Sequence, residues 1–499
     1  MTRAQRIGGV VAVVLVLGAG YVALRPDVAL VDEPAPATPA SGPEVEAPGF
    51  LYGRVVTTRG EAYEGRLRFG GTEEAFWTHT FDGTKNENPW AEFVTADALT
   101  EARAPLRIFG LEISRGERPM DLRRPFRARF GDIVRIEARD AGVQEALERG
   151  REYDPIVRVV LKSGTVVDLD RNAASDFDDG LRVWDAERGV VNLGAREIRS
   201  IDFLPTPPLR DIPDRLFGTV ETSQGMFTGF LQWNREVAAS TDALVGRTDE
   251  GEMRLSFEDI AAISRQPGGG SAVTLTDGRE IALSGTPDVD EGNRGVYVED
   301  SGFGRVLVPW EAFERATFAP SDSGPGYEAF APGLPLRGVV TTRDGRRLSG
   351  RLVIDLDESE TTDMLDAPSG GVERSIPLDL IESLSLAEGN GPFQAVLRTG
   401  ETVELEREGD LGESSAGVLV FREDAETPEY VLWDTIARLQ FEAGETGSPP
   451  PRYRGGHGQT DLVSRATASG AGQNSSERPT MGSSENCSDV STWPFRKFQ

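Results

Sequence analysis

The chain has 499 residues, 38% of them hydrophobic and 27% charged, which is more than one hydrophobic core organises and enough apolar material for several small ones. Its formal net charge of −29 repels phosphate backbones and disfavours a general nucleic-acid role unless a local patch reverses the sign. Cys487 is the single cysteine and His79 and His457 are the only histidines. An internal disulfide and a cysteine zinc cluster are therefore excluded, and a Ser-His or Cys-His site would have to use His79 with no Gly-x-Ser-x-Gly elbow to accompany it.

Arg3 and Arg6 precede an apolar and glycine-rich run, Ile7 to Leu24, that Arg25 and Pro26 end. Residues 1–25 thus read as a signal anchor or signal peptide, long enough to cross roughly 27–30 Å of hydrocarbon as a helix. No Ala-x-Ala triplet marks a cleavage site, which favours an uncleaved transmembrane helix. The arginines place its N-terminus in the cytoplasm and the body outside, in the cell envelope, periplasmic or extracellular. No cysteine follows the run, so a bacterial lipid anchor is excluded. Residues 26–49, with Pro34, Pro36, Pro39, Pro43 and Pro48, form a stiff spacer.

Three β repeats follow, over 50–205, 214–320 and 334–443. Each opens with Gly-x-Val-x-Thr-x-x-Gly: Gly53, Val55, Thr57 and Gly60, then Gly218, Val220, Thr222 and Gly225, then Gly338, Val340, Thr342 and Gly345. An apolar residue, a glycine and a leucine come next, at Tyr63, Gly65 and Leu67, at Phe227, Gly229 and Leu231, and at Leu348, Gly350 and Leu352. Alternation, a turn glycine and renewed alternation predict a β-hairpin. Apolar residues spaced by three close this first half: Phe130, Ile133 and Ile136; Phe257, Ile260 and Ile263; Leu378, Ile381 and Leu384. That spacing predicts one 3₁₀ turn leading into a last strand. A second half opens at Val159, Val273 and Val396, turns at Gly164, Gly278 and Gly400, and closes on similar triplets at Ile198, Trp310 and Trp433.

The body therefore reads as three a-b repeats. Strand, turn, three strands, 3₁₀ turn and strand resembles an SH3-like or Sm-like small barrel in outline, which implies an all-β fold of tandem small barrel or β-sandwich units after one N-terminal transmembrane helix. Units of about 50 residues are marginal alone, so the halves are expected to pack in pairs. Beyond Phe441 the repeat pattern stops, and the Gly/Ser/Pro-rich residues 444–499 are expected to be disordered.

The first repeat alone carries an insertion, Asn86 to Arg129, whose end is basic: Arg107, Arg115, Arg118, Arg123, Arg124, Arg127 and Arg129, with Arg135 beyond it. Arg118, Arg123, Arg124 and Arg127 are candidate contacts for an anionic partner, against the commoner fate of pairing with the chain's own carboxylates. Phe76 and Trp77 are candidates for a stacking platform, with Trp233 and Trp310 elsewhere, against ordinary core packing. An acidic step recurs at Glu74 to His79, Glu236 to Asp242 and Glu360 to Asp363, and carboxylate-rich turns at Asp176, Asp178 and Asp179 and at Asp288, Asp290, Glu291 and Asn293 resemble loose calcium sites without the EF-hand ligand order. Solvated or structural loops are the expected identity of both.

No motif calls for a cofactor or a metal, and no catalytic residue is assigned. The expected function is a non-enzymatic, envelope-associated β-repeat protein presenting binding surfaces to a protein or an anionic polymer, held at the membrane by its N-terminal helix. The alternative is a carboxylate-dependent hydrolase acting on envelope glycan through Glu74, Glu236 or Asp242, which requires two carboxyl groups about 5–10 Å apart in one cleft. Transient RNA binding conflicts with export and charge.

Overall fold

The computed structural model describes residues 43–95, 122–139, 156–170, 174–386, 391–412 and 415–443, with the backbone alone of 100–102, 106–108, 111–113 and 117–119. All lie in one compact unit, Met1–Gly456. The expected membrane helix 1–25 and tail 444–499 fall outside the described residues, as does most of the spacer; among the described residues no helix is long and apolar enough to cross a membrane. The described chain is all-β, made of antiparallel sheets with almost no helix.

The three signature hairpins form as their alternation dictates, at Tyr52–Thr57 with Ala62–Phe69, Phe217–Thr222 with Gly225–Trp233, and Arg337–Thr342 with Arg347–Ile354. Val55, Val220 and Val340 point inward and are fully buried, while Thr57, Thr222 and Thr342 accept backbone N–H bonds that fix the turn. The other glycines are not turn residues. Gly53 faces Gly65, Gly218 faces Gly229 and Gly338 faces Gly350 across the hairpin. A Cβ on any of the six would fall well inside van der Waals contact with a carbonyl of a neighbouring strand, such as that of Trp184 at Gly65 or Phe421 at Gly350. These positions let three backbones approach more closely than side chains permit.

Each apolar triplet of the first halves nucleates the expected single turn: Phe130–Asp132, Phe257–Asp259 and Leu378–Leu380 are 3₁₀ helices, and strands begin at Ile133, Ile260 and Ile381. The second halves repeat this at Ala195–Glu197 and Trp433–Thr435. Even irregularities recur, since the register of the opening strand shifts at Val56/Thr57, Glu221/Thr222 and Thr341/Thr342.

The halves do not close separately, which corrects the expectation of one barrel and one core per half. In the first repeat, Ala62–Phe69 of the first half pairs with Leu181–Asp185 of the second, and Tyr52–Thr57 pairs with Ile198–Phe203. Conversely Ile156–Leu161, which opens the second half, pairs with Ile133–Arg139, which closes the first. One eight-stranded sheet results, and the second and third repeats have the same strand order. Three large buried clusters follow, one per repeat. The physical reason is the one that makes 50-residue units marginal: interleaving merges two inadequate interiors into one.

The insertion proper is shorter than the sequence suggests. Thr80–Thr84 pairs with Pro125–Arg129 as Ala243–Thr248 does with Gly251–Ser256 and Met364–Ser369 with Val372–Pro377. Thus 125–129 belongs to the repeat, and only 85–124 is extra. It contains a 3₁₀ turn, Pro89–Phe93, capped by Asn88, and crosses to the third repeat, where Val94 joins Val353, Leu356, Ala416 and Leu419 in a small buried cluster. Trp90 and Phe93 meet Phe421 edge-on at 5.9 and 5.4 Å. The linker after the second repeat also returns to the first: Tyr327 and Phe330 join the first core, and Lys162 Nζ donates to both their carbonyls at 2.6 and 2.9 Å.

Replacing Gly65 by alanine is expected to destabilise the protein by about 3 kcal/mol, because the Trp184 carbonyl must shift together with its ladder. Replacing Gly345, which has φ +87° but open space around it, should cost about 1 kcal/mol. Urea unfolding of the two variants measures the difference.

Candidate functional site

The recurrent acidic step is one structural turn. Leu51, Leu216 and Leu336 donate their N–H groups to the carbonyls of Ala75, Ala238 and Ser359, each at 2.8 Å, which aligns His79 with Asp242 and Asp363. Asp242 Oδ2 accepts from the N–H groups of Ala238 and Ala239 at 3.2 and 2.9 Å, and Asp363 Oδ2 from those of Ser359 and Glu360 at 2.7 and 2.9 Å. Both aspartates are caps for the turn. In the first repeat His79 occupies that place, fully buried, its Nδ1 without a hydrogen-bond partner. Burial and the nearby Arg215, Arg305 and Arg68 push its pKa well below the usual value, so it is neutral.

The seam between the first two repeats gathers the candidate catalytic carboxylates, Asp242 and Glu236 in close hydrogen bonds and Glu74 with one oxygen buried without a partner. Arg68 grips Asp242 with two bonds of 2.8 and 2.7 Å. Glu236 accepts from Thr72 at 2.7 Å and from Arg294 at 3.0 Å. Glu74 is 8% exposed and is approached by Gln232 Nε2 at 3.5 Å. Arg215, buried over the rings of Phe230 and Phe76, donates to Glu299 at 2.9 Å and to Thr78 at 2.6 Å.

Of the candidate anion-binding arginines, Arg124 and Arg127 take the commoner fate of pairing with the chain's own carboxylates. Arg124 is buried against the third repeat, its Nε donating to the Asp355 carbonyl at 2.9 Å, with an Asp355 carboxylate oxygen at 3.3 Å. Arg127 bridges Asp82 and Asp366, each at 2.7 Å, and reaches Ser375 at 3.0 Å. Arg129 and Arg135 pair with Asp132 and Asp202. Arg123 is exposed, and the side chain of Arg118 lies outside the described residues, as do those of Arg107 and Arg115. Excess carboxylate in the chain claims the guanidinium groups of the return strand.

Phe76 and Trp77 are fully buried and form no exposed platform. Phe76 lies 4.6 Å from Phe50, Trp77 lies 4.7 Å from Tyr327, and Trp77 Nε1 donates to Thr206. Trp233 and Trp310 sit in the second core. In the second calcium-like turn, Asp290 accepts three backbone N–H groups and Asp288 accepts from Val245 N–H and Asn234. Carboxylates surrounded by N–H donors are turn caps, not cation ligands. Among the described residues no cluster of three or more His, Cys, Asp or Glu is arranged to hold a metal.

A concave feature lies elsewhere, where the insertion meets the third repeat. A cleft of about 260 Å³ lies between Lys85–Trp90, the hairpin Leu161–Asp168 and the turn Leu356–Asp363. Pro89, Trp90, Phe126, Leu161, Val166, Val167 and Leu356 supply its apolar lining. Its charges are unequal: Glu87, Asp168, Asp357, Glu360 and Asp363 against Lys85 and Arg124. Lys85 Nζ pairs with Asp357, and Thr165 donates to Glu360, closing contacts across 272 and 195 residues. Glu360 Oε2 is buried without a partner. Burial raises Asp357 to about 6 against the pull of Lys85. Sequence reading missed Lys85, Trp90, Asp357 and Glu360 as a group. The one available signal was that the insertion is confined to a single repeat.

Comparison of the chain with known protein families, with curated proteins and with solved structures finds no match.

Arg127→Ala leaves Asp82 and Asp366 without their shared cation. It is expected to cost about 2 kcal/mol, below the ~3–5 kcal/mol of a fully buried pair, because the side chains are about 30% exposed; thermal unfolding checks it. A second expectation concerns pH. Burial raises Glu73 to about 8, with help from Glu74, and Glu74 to about 7, and it raises Glu358 and Asp410 well above the ordinary range. The native state then holds protons the unfolded chain has released, so stability falls as pH rises from the unfolded carboxyl values near 4.5 through these folded ones. His79 acts oppositely, removing stability as pH falls through its unfolded value of about 6.5, but it is one group against these four. The melting temperature should fall from pH 5.5 to 8.5, and Glu74→Gln should flatten that slope; a rising profile would refute the assignment.

Proposed function

We propose that the protein is an exported, membrane-tethered, non-enzymatic binding module of the cell envelope, its body outside the cytoplasm and its three repeats each made of two interleaved SH3-like barrels. The pairing supports the barrel reading. Hairpin 52–69, hairpin 181–193, the 3₁₀ turn 195–197 and strand 198–203, which returns to 52–57, follow the small-barrel order. Hairpin 156–170, hairpin 80–84 with 125–129, the turn 130–132 and strand 133–139 follow the same order, with the two hairpins joined by the single bridge of Lys85 to Leu169. Each barrel takes its first hairpin from one half and its remaining strands from the other.

The observation that carries the binding role is the cleft made by folding the insertion over the third repeat. Apolar lining with a majority of carboxylates suits an amine or guanidinium on an apolar stem, as in a basic segment of a protein partner, better than an anionic polymer. Calorimetric titration of the full chain with short lysine- or arginine-centred peptides should show binding that weakens with salt, roughly tenfold weaker for Glu360→Gln, and none with glutamate-centred peptides. Equal or absent binding of both peptide classes would overturn the reading.

Glu73 and Glu74, adjacent carboxyl groups with raised pKa values, the first of them near Glu236, are the feature that favours a glycan hydrolase instead. Glu236, the neighbouring carboxylate, is held by Thr72 and Arg294, which weighs against it, and turnover of envelope glycan lost in Glu74→Gln would establish it.

A further inference from the structure

In the second repeat the outermost strand is covered. Gly304–Val308 pairs antiparallel with Val372–Pro377, the second strand of the third repeat's hairpin, with Arg305 opposite Ser375, Val306 opposite Arg374 and Leu307 opposite Glu373. One repeat thus offers an acceptor edge and the next a donor hairpin. Both partners of this contact recur in the chain. The equivalent acceptor in the first repeat, Gly189–Leu193, ends its eight-stranded sheet. Among the described residues the equivalent donor in the second repeat, Gly251–Ser256, pairs only with Ala243–Thr248 in a two-stranded sheet. They are not joined to each other.

We propose that these two elements meet between molecules: Gly251–Ser256 of one copy adds as a strand to Gly189–Leu193 of a second copy, reproducing between chains the contact that joins the second and third repeats within one. The shared register places Val190 opposite Arg254, Val191 opposite Met253 and Asn192 opposite Glu252. Glu252 then stands where Glu373 stands in the internal contact.

Three observations select this pair. The acceptor Gly-Val-Val-Asn-Leu carries no proline, lysine or other charge, the usual guards of a sheet edge, and Val190 and Val191 are only half-buried. The corresponding edge of the third repeat, Glu429–Val431, is guarded: Pro428 stands where Arg305 stands in the second, and Glu429 is tied to Arg346 at 2.6 Å. The donor strand exposes Gly251, Glu252 and Arg254. Gly189 also repeats Gly304, with φ +76° and +82°; at Gly304 the donor backbone at Ser375 fills the space a Cβ would take, while at Gly189 that space is open. Donor and acceptor lie on different repeats, so the contact is head-to-tail and propagates into a chain or a ring of copies.

The test uses the full chain with Cys487→Ser. Chains carrying Val191→Cys and chains carrying Met253→Cys are mixed and oxidised at physiological ionic strength, which screens the repulsion between copies of like charge. A disulfide-linked dimer should form in the mixture well above either variant alone, and Val191→Cys/Met253→Cys in one chain should give a ladder. Val306→Cys/Arg374→Cys, closing within one chain, controls for fold and register. Sedimentation should show the parent chain self-associated in the micromolar range, and Val190→Lys/Val191→Lys monomeric with an unchanged circular dichroism spectrum. The proposal fails if the control closes while the mixture gives no excess dimer, or if the parent is monomeric. It fails equally if the lysine variant associates like the parent, or if the 189–193 edge cross-links only to a different protein.

Discussion

No half-unit of this chain owns the strands that would close its own core, and that constraint organises everything else. The first half of each repeat ends on a strand that lies between the opening and closing strands of the second, so neither half completes its sheet until both are present. Close approach at the six hairpin glycines makes the shared sheet possible, because a neighbouring carbonyl sits where a side chain would otherwise stand. The folding unit is consequently the repeat of about 100 residues or more, a size at which a single core becomes comfortable.

Among the repeats, the first is the exception that binds the set together. Its turn presses against the second repeat through Arg68, Thr78 and Glu74, its insertion grips the third through Lys85 and Arg124, and the aromatic linker between the second and third packs on its core. Many of these contacts are charged and buried, an arrangement that sets register and orientation more than it adds net stability. The substitution of His79 for the aspartate of the other two repeats fits the same place. A neutral ring there faces three arginines that are occupied by Asp242 and Glu299 of the second repeat, whereas a turn-capping carboxylate would compete for them.

Sequence periodicity revealed the hairpins, the 3₁₀ turns and the threefold repeat, because these depend on local alternation and on spacing within a few residues. Strand exchange between halves was not legible: either closure buries Val55, Val159, Ile136 and Ile201, and the choice depends on backbone pairing between distant strands, such as Leu67 with Val183 and Val55 with Ile201. The role of Gly53 and its five counterparts was also hidden, since a glycine required by a neighbouring backbone looks like a glycine required by a turn. The arginines looked available because charge counting along the chain cannot show that Asp355 and Asp366 arrive from the third repeat. The cleft was invisible for the same reason. Lys85 and Asp357 become neighbours only when the first and third repeats meet.

The grip of Lys85 on Asp357 spans 272 residues, and a ribosome adds roughly 5 to 20 residues per second. For a time on the order of ten seconds to a minute, the nascent first repeat therefore carries Trp90, Val94 and Phe93 with nothing to rest on. Through that interval the arm is an open apolar surface, of the kind that exposes a folding intermediate to aggregation until the third repeat arrives.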